Sequence, residues 1–108
     1  MNSEKITKPA ALQSIPLPQH ERLRIISSTN PEYSSEARRI RLSGIVFLSG
    51  IVDVHGNIKI TEVIIPLGAG LEESAVRTVE KTWKFRPAIR YGIPAETRTT
   101  IEVKFSFL

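Results

Sequence analysis

Residues 45–65 read IVFLSGIVDVHGNIKITEVII, and this stretch decides the fold. Ile45 to Val54 is apolar at nearly every position, interrupted by Ser49, Gly50 and Asp53, which suits a strand that is covered on both faces or central in its sheet. His55-Gly56-Asn57 then makes a turn. Glycine supplies the positive φ that a tight hairpin needs, and His and Asn tolerate such values better than β-branched residues do. Ile58 to Ile65 is therefore expected to be a second strand, antiparallel to the first. Pro66-Leu67-Gly68-Ala69-Gly70 breaks it.

Downstream, Leu71, Ala75, Val79 and Trp83 recur every four positions with Val76 beside them, while Glu72 and Glu73 stand at the N-terminal end. This predicts an amphipathic helix whose charges match its dipole. It ends before Phe85-Arg86-Pro87, because the residue preceding a proline avoids the α region. Tyr91-Gly92 makes another turn. In the last segment Ile101, Val103, Phe105 and Phe107 alternate with Thr100, Glu102, Lys104 and Ser106, the pattern of a strand with one wet face. The helix returns the chain to the starting end of the second strand, so the third strand runs parallel to the second. The expected class is α+β: a small three-stranded sheet in the order second, first, third, with a right-handed crossover, packed by two helices. The final strand is consequently an edge.

Upstream, Ser34 or Ser35 can cap a short helix reaching about Leu42, which Ser43-Gly44 ends. Residues 1–30 contain Pro9, Pro16 and Pro18 and show no sustained period, so they read as an arm or linker with a short strand at Leu23-Arg24-Ile25-Ile26. The domain is expected to span Pro31 to Leu108. A chain of 108 residues has room for one core, and 41% apolar with 24% charged residues is an ordinary globular balance. Without cysteine there is no disulfide scaffold, thiolate metal site or cysteine nucleophile. No apolar run approaches the roughly 18 residues that span a bilayer, and the first residues contain no signal-peptide core.

The net charge of +4 divides evenly, with four basic and two acidic side chains in residues 1–30 and eleven and nine in the rest. Glu36, Glu73 and Glu80 are interleaved with the clusters Arg38-Arg39-Arg41 and Arg77 to Arg90, so both clusters read as solvated faces rather than a phosphate-binding stripe. Trp83-Lys84-Phe85-Arg86 has the composition of a stacking platform for single-stranded nucleic acid, but a core this small needs both aromatics. His55 with Asp53, the chain's one aspartate, could imitate a base and its orienter; a turn with a polar tip is the simpler account. Gly68-Ala69-Gly70 before a helix could cradle an anion, yet Glu72 and Glu73 already occupy that positive end. No metal spacing or nucleophile motif is present, so neither an enzyme nor a cofactor is expected. What remains is the edge strand. It offers unpaired N–H and C=O groups to an extended peptide, or it is blunted by Glu102 and Lys104, and the pattern of residues does not decide between the two.

A resemblance does. Pro31-Glu32-Tyr33, Gly44-x-Val46, Val52-Asp53-x-x-Gly56-x-Ile58, Leu67-Gly68-x-Gly70-Leu71-Glu72-Glu73-x-Ala75-Val76, Trp83-x-Phe85-x-Pro87-Ala88, Gly92-x-Pro94 and Val103-x-Phe105 come in order. Together they resemble the TonB C-terminal domain family. Members of that family carry energy from a proton-driven inner-membrane motor, ExbB and ExbD, to outer-membrane receptors that import siderophores, cobalamin and other scarce nutrients. The resemblance implies a periplasmic domain that grips the receptor's TonB box as a strand added beside its own last strand. Residue by residue that contact is Thr99, Thr100, Ile101, Glu102, Val103, Lys104, Phe105, Ser106 and Phe107, with Thr100, Glu102, Lys104 and Ser106 tuning selectivity. Two departures stand out: serine follows Tyr33 where many members have proline, and no anchor or long spacer precedes the domain, so ExbB and ExbD would be reached only through an anchor absent from this chain. Two alternatives follow, a free-standing adaptor and a homodimer made by the same edge pairing with its copy.

Overall fold

The computed structural model describes residues 19–107. Pro9, Pro16 and Pro18 of the arm lie outside the described residues. Among the described residues the elements are β1 His20–Glu21, β2 Arg24–Ser27, α1 Ser35–Arg39, β3 Gly44–Val52, β4 Ile58–Ile65, α2 Leu71–Thr82, β5 Lys84–Arg86, β6 Ala88–Arg90, β7 Ile93–Ala95 and β8 Thr97–Phe105. None of the helices is long and apolar enough to cross a membrane.

The main sheet has the order β4-β3-β8, antiparallel throughout. Its pairing with β8 runs in unbroken register from Gly44↔Phe105 to Val52↔Thr97. Val46, Leu48 and Val52 of β3, Ile101, Val103 and Phe105 of β8, and Leu71, Ala75 and Val79 of α2 are buried together with Ala37 of α1. That burial follows from the two periods, since alternate strand residues and every fourth helix residue reach one layer. Each of the Val, Leu, Ile and Phe side chains contributes roughly 1.5–3 kcal/mol when fully buried, and on this scale the core rests on few residues.

Two small antiparallel sheets extend this frame, β1-β6-β7 and β2-β5. The sequence reading has only the short strand near Leu23–Ile26, and that strand is β2, paired with β5 through Arg24↔Arg86 and Ile25↔Phe85. The segment after Trp83 is thus strand rather than loop. Trp83 itself has left the helix, with φ −75 and ψ 140, while staying buried beside Phe85. Its indole Nε1–H donates to Thr29 O at 3.0 Å, and Ser74 Oγ donates to Glu32 O at 2.6 Å, so residues 29–32 are fastened along α2.

Ser34 is the cap of α1 and accepts from the Ala37 N–H at 3.0 Å. Its hydroxyl also donates to Ala69 O at 2.6 Å, which fixes the loop before α2 to the start of α1. Proline at this position could make neither bond. The loop is held from its other end as well, by the Glu72 carboxylate, which accepts from the N–H groups of Gly68 at 2.9 Å and Leu67 at 3.2 Å. The Gly68 bond chiefly keeps the Glu72 carboxyl below its ordinary 4.5. A depressed carboxylate contributes stability that is complete above its unfolded value and is lost as pH falls through the folded one. Acidification below 4.5 therefore loosens the loop, and Glu72→Gln removes part of the fall in thermal midpoint between neutral pH and pH 3. Paired thermal scans of the two proteins at both pH values check this; because Glu72 is only half-buried and solvent screens it, the difference is small.

Candidate functional site

A three-stranded sheet has two edges, and here they differ. On the β4 side the register with β3 shifts twice, between Phe47 and Leu48 and between Ser49 and Gly50, and such irregularities bend an edge away from partners. A helix side chain completes the closure: the Ile60 N–H donates to Glu80 Oε2 of α2 at 2.8 Å. No regularity in the sequence singles out Glu80. It stands on the flank of the apolar stripe, and the strand it reaches is fixed only once α2 has docked.

The β8 side has neither device. Its register is unbroken, and among the described residues no strand pairs on its outer side. The inward residues Ile101, Val103 and Phe105 are buried, while Thr100, Glu102 and Lys104 are exposed and Thr99 is half-buried. The strand starts at Thr97, two residues before the expected contact, and ends at Phe105, so Ser106 and Phe107 lie beyond it. Phe107 was expected to share the core face with Phe105. It is instead 42% exposed, because it turns onto the Tyr33 ring at 4.7 Å, with the Arg41 guanidinium 5.9 Å from its centroid. Tyr33 meets Phe105 edge-on at 5.5 Å, so one ring holds both ends of this turn.

Beside the first half of β8 runs the arm. A cleft of about 550 Å³ is lined by residues 20–23 of the arm, by residues 88–90 and by residues 97–99. A second cleft of about 420 Å³ continues it, between Leu23–Ile25 and Thr99–Ile101 with Phe85. The two share Leu23 and Thr99 in their linings.

The other candidates are occupied by structural work. Asp53 Oδ1 accepts from the N–H groups of His55 at 2.8 Å and Asn57 at 3.0 Å, which makes it the brace of the turn. The Asn57 bond is the main reason that its carboxyl sits below the ordinary 3.8. The amides of the Gly68 loop are taken by Glu72, and Trp83 and Phe85 are buried, so neither aromatic is open to a base. Among the described residues no His, Cys, Asp or Glu cluster could hold a metal ion.

The family model described as Gram-negative bacterial TonB protein C-terminal matches residues 29–107. No curated protein matches the chain.

Proposed function

Because the chain belongs to the family of Gram-negative bacterial TonB protein C-terminal domains, we propose that Pro31 to Leu108 is the gripping domain of a TonB-type energy transducer. The family is one of transport coupling to outer-membrane receptors and is not enzymatic. On this reading the domain works in the periplasm. It takes the receptor's TonB box as a strand beside β8, along Thr99 to Phe107, and the pull on that strand drives nutrient import.

The observation that carries the reading is the contrast between the edges: β4 is irregular and stopped by Glu80, whereas β8 presents an unbroken row of backbone groups. Strand addition suits a mechanical task. Each hydrogen bond contributes about 0.5–1.5 kcal/mol net, so several loaded together resist a pull and still release afterwards. Backbone pairing also asks little of the partner's side chains, which lets one domain serve several receptors. Thr100, Glu102 and Lys104, exposed on the outward face, are placed to grade them.

Alternation gives this reading its test. In an antiparallel or parallel added strand only every second amide of the peptide faces β8. Two peptides carrying the same TonB-box sequence, N-methylated at odd or at even positions, are titrated while the protein's backbone amides are followed. One methylation pattern abolishes binding and the other leaves it nearly intact. Loss of three bonds at about 1–1.5 kcal/mol each weakens affinity by roughly 100-fold or more. Equal binding by both peptides, or no response from the β8 amides, overturns the reading.

A further inference from the structure

β8 stops short of the contact proposed for it. Ser106 and Phe107 leave the strand, and the Phe107 ring settles on Tyr33 at 4.7 Å instead of continuing the alternation. Both groups that receive this ring flank α1. Tyr33 stands just before the helix, while Arg41, just after it, has a positive φ of 54 and sets its guanidinium 5.9 Å from the Phe107 centroid. Ring contact and cation–π attraction together hold residues 106–107 in this turn.

The same turn carries a cost. The Tyr33 hydroxyl is buried without a hydrogen-bond partner, a state that folded interiors rarely tolerate, because the group has given up water and received nothing in return. Of the two phenylalanines against its ring, Phe105 is 2% exposed and fixed in register with Gly44, whereas Phe107 is 42% exposed. Phe107 is therefore the one of the two that can leave. A turn held by ring contacts and opposed by an unsatisfied polar group lies near balance, and a modest gain elsewhere reverses it.

We propose that Tyr33 is a positioning residue that sets the length of the peptide site. In the free domain its ring holds Phe107 and ends β8 at Phe105; an added strand draws Ser106 and Phe107 off that ring into a longer β8, and water reaches the Tyr33 hydroxyl. This rests on strand addition at β8 and adds a conformational step to it. The extension offers the partner the backbone groups of two more residues, at the expense of the contacts with Tyr33 and Arg41. Affinity then follows the population of the open turn, since a partner that needs a minor form binds in proportion to it.

The test uses the full chain and a synthetic peptide that carries the TonB box with its flanking receptor residues, followed by nuclear magnetic resonance. At saturation the β8 amides have responded, the amides of Ser106 and Phe107 have moved to strand values and slowed in hydrogen exchange, and the contacts between the Phe107 and Tyr33 ring protons are gone. Two variants act in opposite directions. Tyr33→Phe removes the unsatisfied hydroxyl and steadies the turn, so it raises the thermal midpoint yet weakens peptide binding about fivefold. Phe107→Ala, at a half-exposed position that leaves folding intact, frees the end of β8 and tightens binding by about the same factor. A role confined to packing moves the midpoint and leaves both affinities unchanged. A response of the β8 amides with the ring contacts kept at saturation, or equal affinity in the three proteins, overturns the positioning role and leaves strand addition standing. Silence of the β8 amides removes strand addition itself, and with it this inference.

Discussion

Gly56→Ala lowers the thermal midpoint by roughly 10–20 °C, measured by circular dichroism. Gly56 has φ +85, a conformation that costs an L-residue about 1–2 kcal/mol. A Cβ there would stand 2.2 Å from Phe85 O, far inside van der Waals contact. The obstacle is backbone, and it cannot step aside cheaply: Phe85 is buried, pairs with Ile25, and donates its own N–H to Gly56 O at 3.2 Å. The tip of the β3–β4 hairpin is thus docked on β5 by direct backbone contact. Strain and displacement together reach on the order of 3 kcal/mol, and for a domain of this size each kcal/mol moves the midpoint by about 4–8 °C. A shift of under 3 °C shows that the hairpin tip leaves β5 without cost.

Phe105→Ala destabilises the domain by about 3–5 kcal/mol, the range for removing a buried phenylalanine. Phe105 is 2% exposed, ends β8, pairs with Gly44 at the start of β3, and carries the edge of Tyr33. Its loss opens a space that no neighbour on the rigid sheet can fill. Urea unfolding followed by tryptophan fluorescence reads the change through Trp83. Hydrogen exchange distinguishes local from global loss: amides at Val103 to Phe105 accelerate before those of α2 if the end of β8 frays on its own. A cost below 1 kcal/mol shows that Phe107 and Tyr33 close the space.

What was legible in the sequence is what depends on neighbours close along the chain. The unbroken apolar run with its His55-Gly56-Asn57 turn marks β3 and β4, the four-residue recurrence marks α2, and the strict alternation after Thr100 marks β8. A cap at Ser34 or Ser35 is legible because capping is a matter of three residues, and the structure uses Ser34. Of the short strands only β2 is read, near Leu23–Ile26; β1, β5, β6 and β7 are two or three residues long, too short to show a period, and the pairing of β2 with β5 some sixty residues away is not a local signal. Pro87 reads as the end of the helix, and Pro94 sits within an edge strand, where proline is tolerated. Phe107 was assigned to the core by extending the alternation past its end. A period says nothing about where a strand stops, and the Tyr33 ring decides that. Glu80 lay beyond reach for the same reason as the ribbons: its bond to Ile60 exists only between docked elements.

The unequal edges set the valence of the molecule. A sheet open on both sides can be joined on both, and copies of it then grow into a chain with no natural end. With Glu80 holding the Ile60 N–H, one side is terminated, and whatever strand arrives at β8 completes the structure rather than extending it. On the proposed reading the domain takes one added strand, and the register shifts of β4 together with the Glu80 carboxylate set that limit.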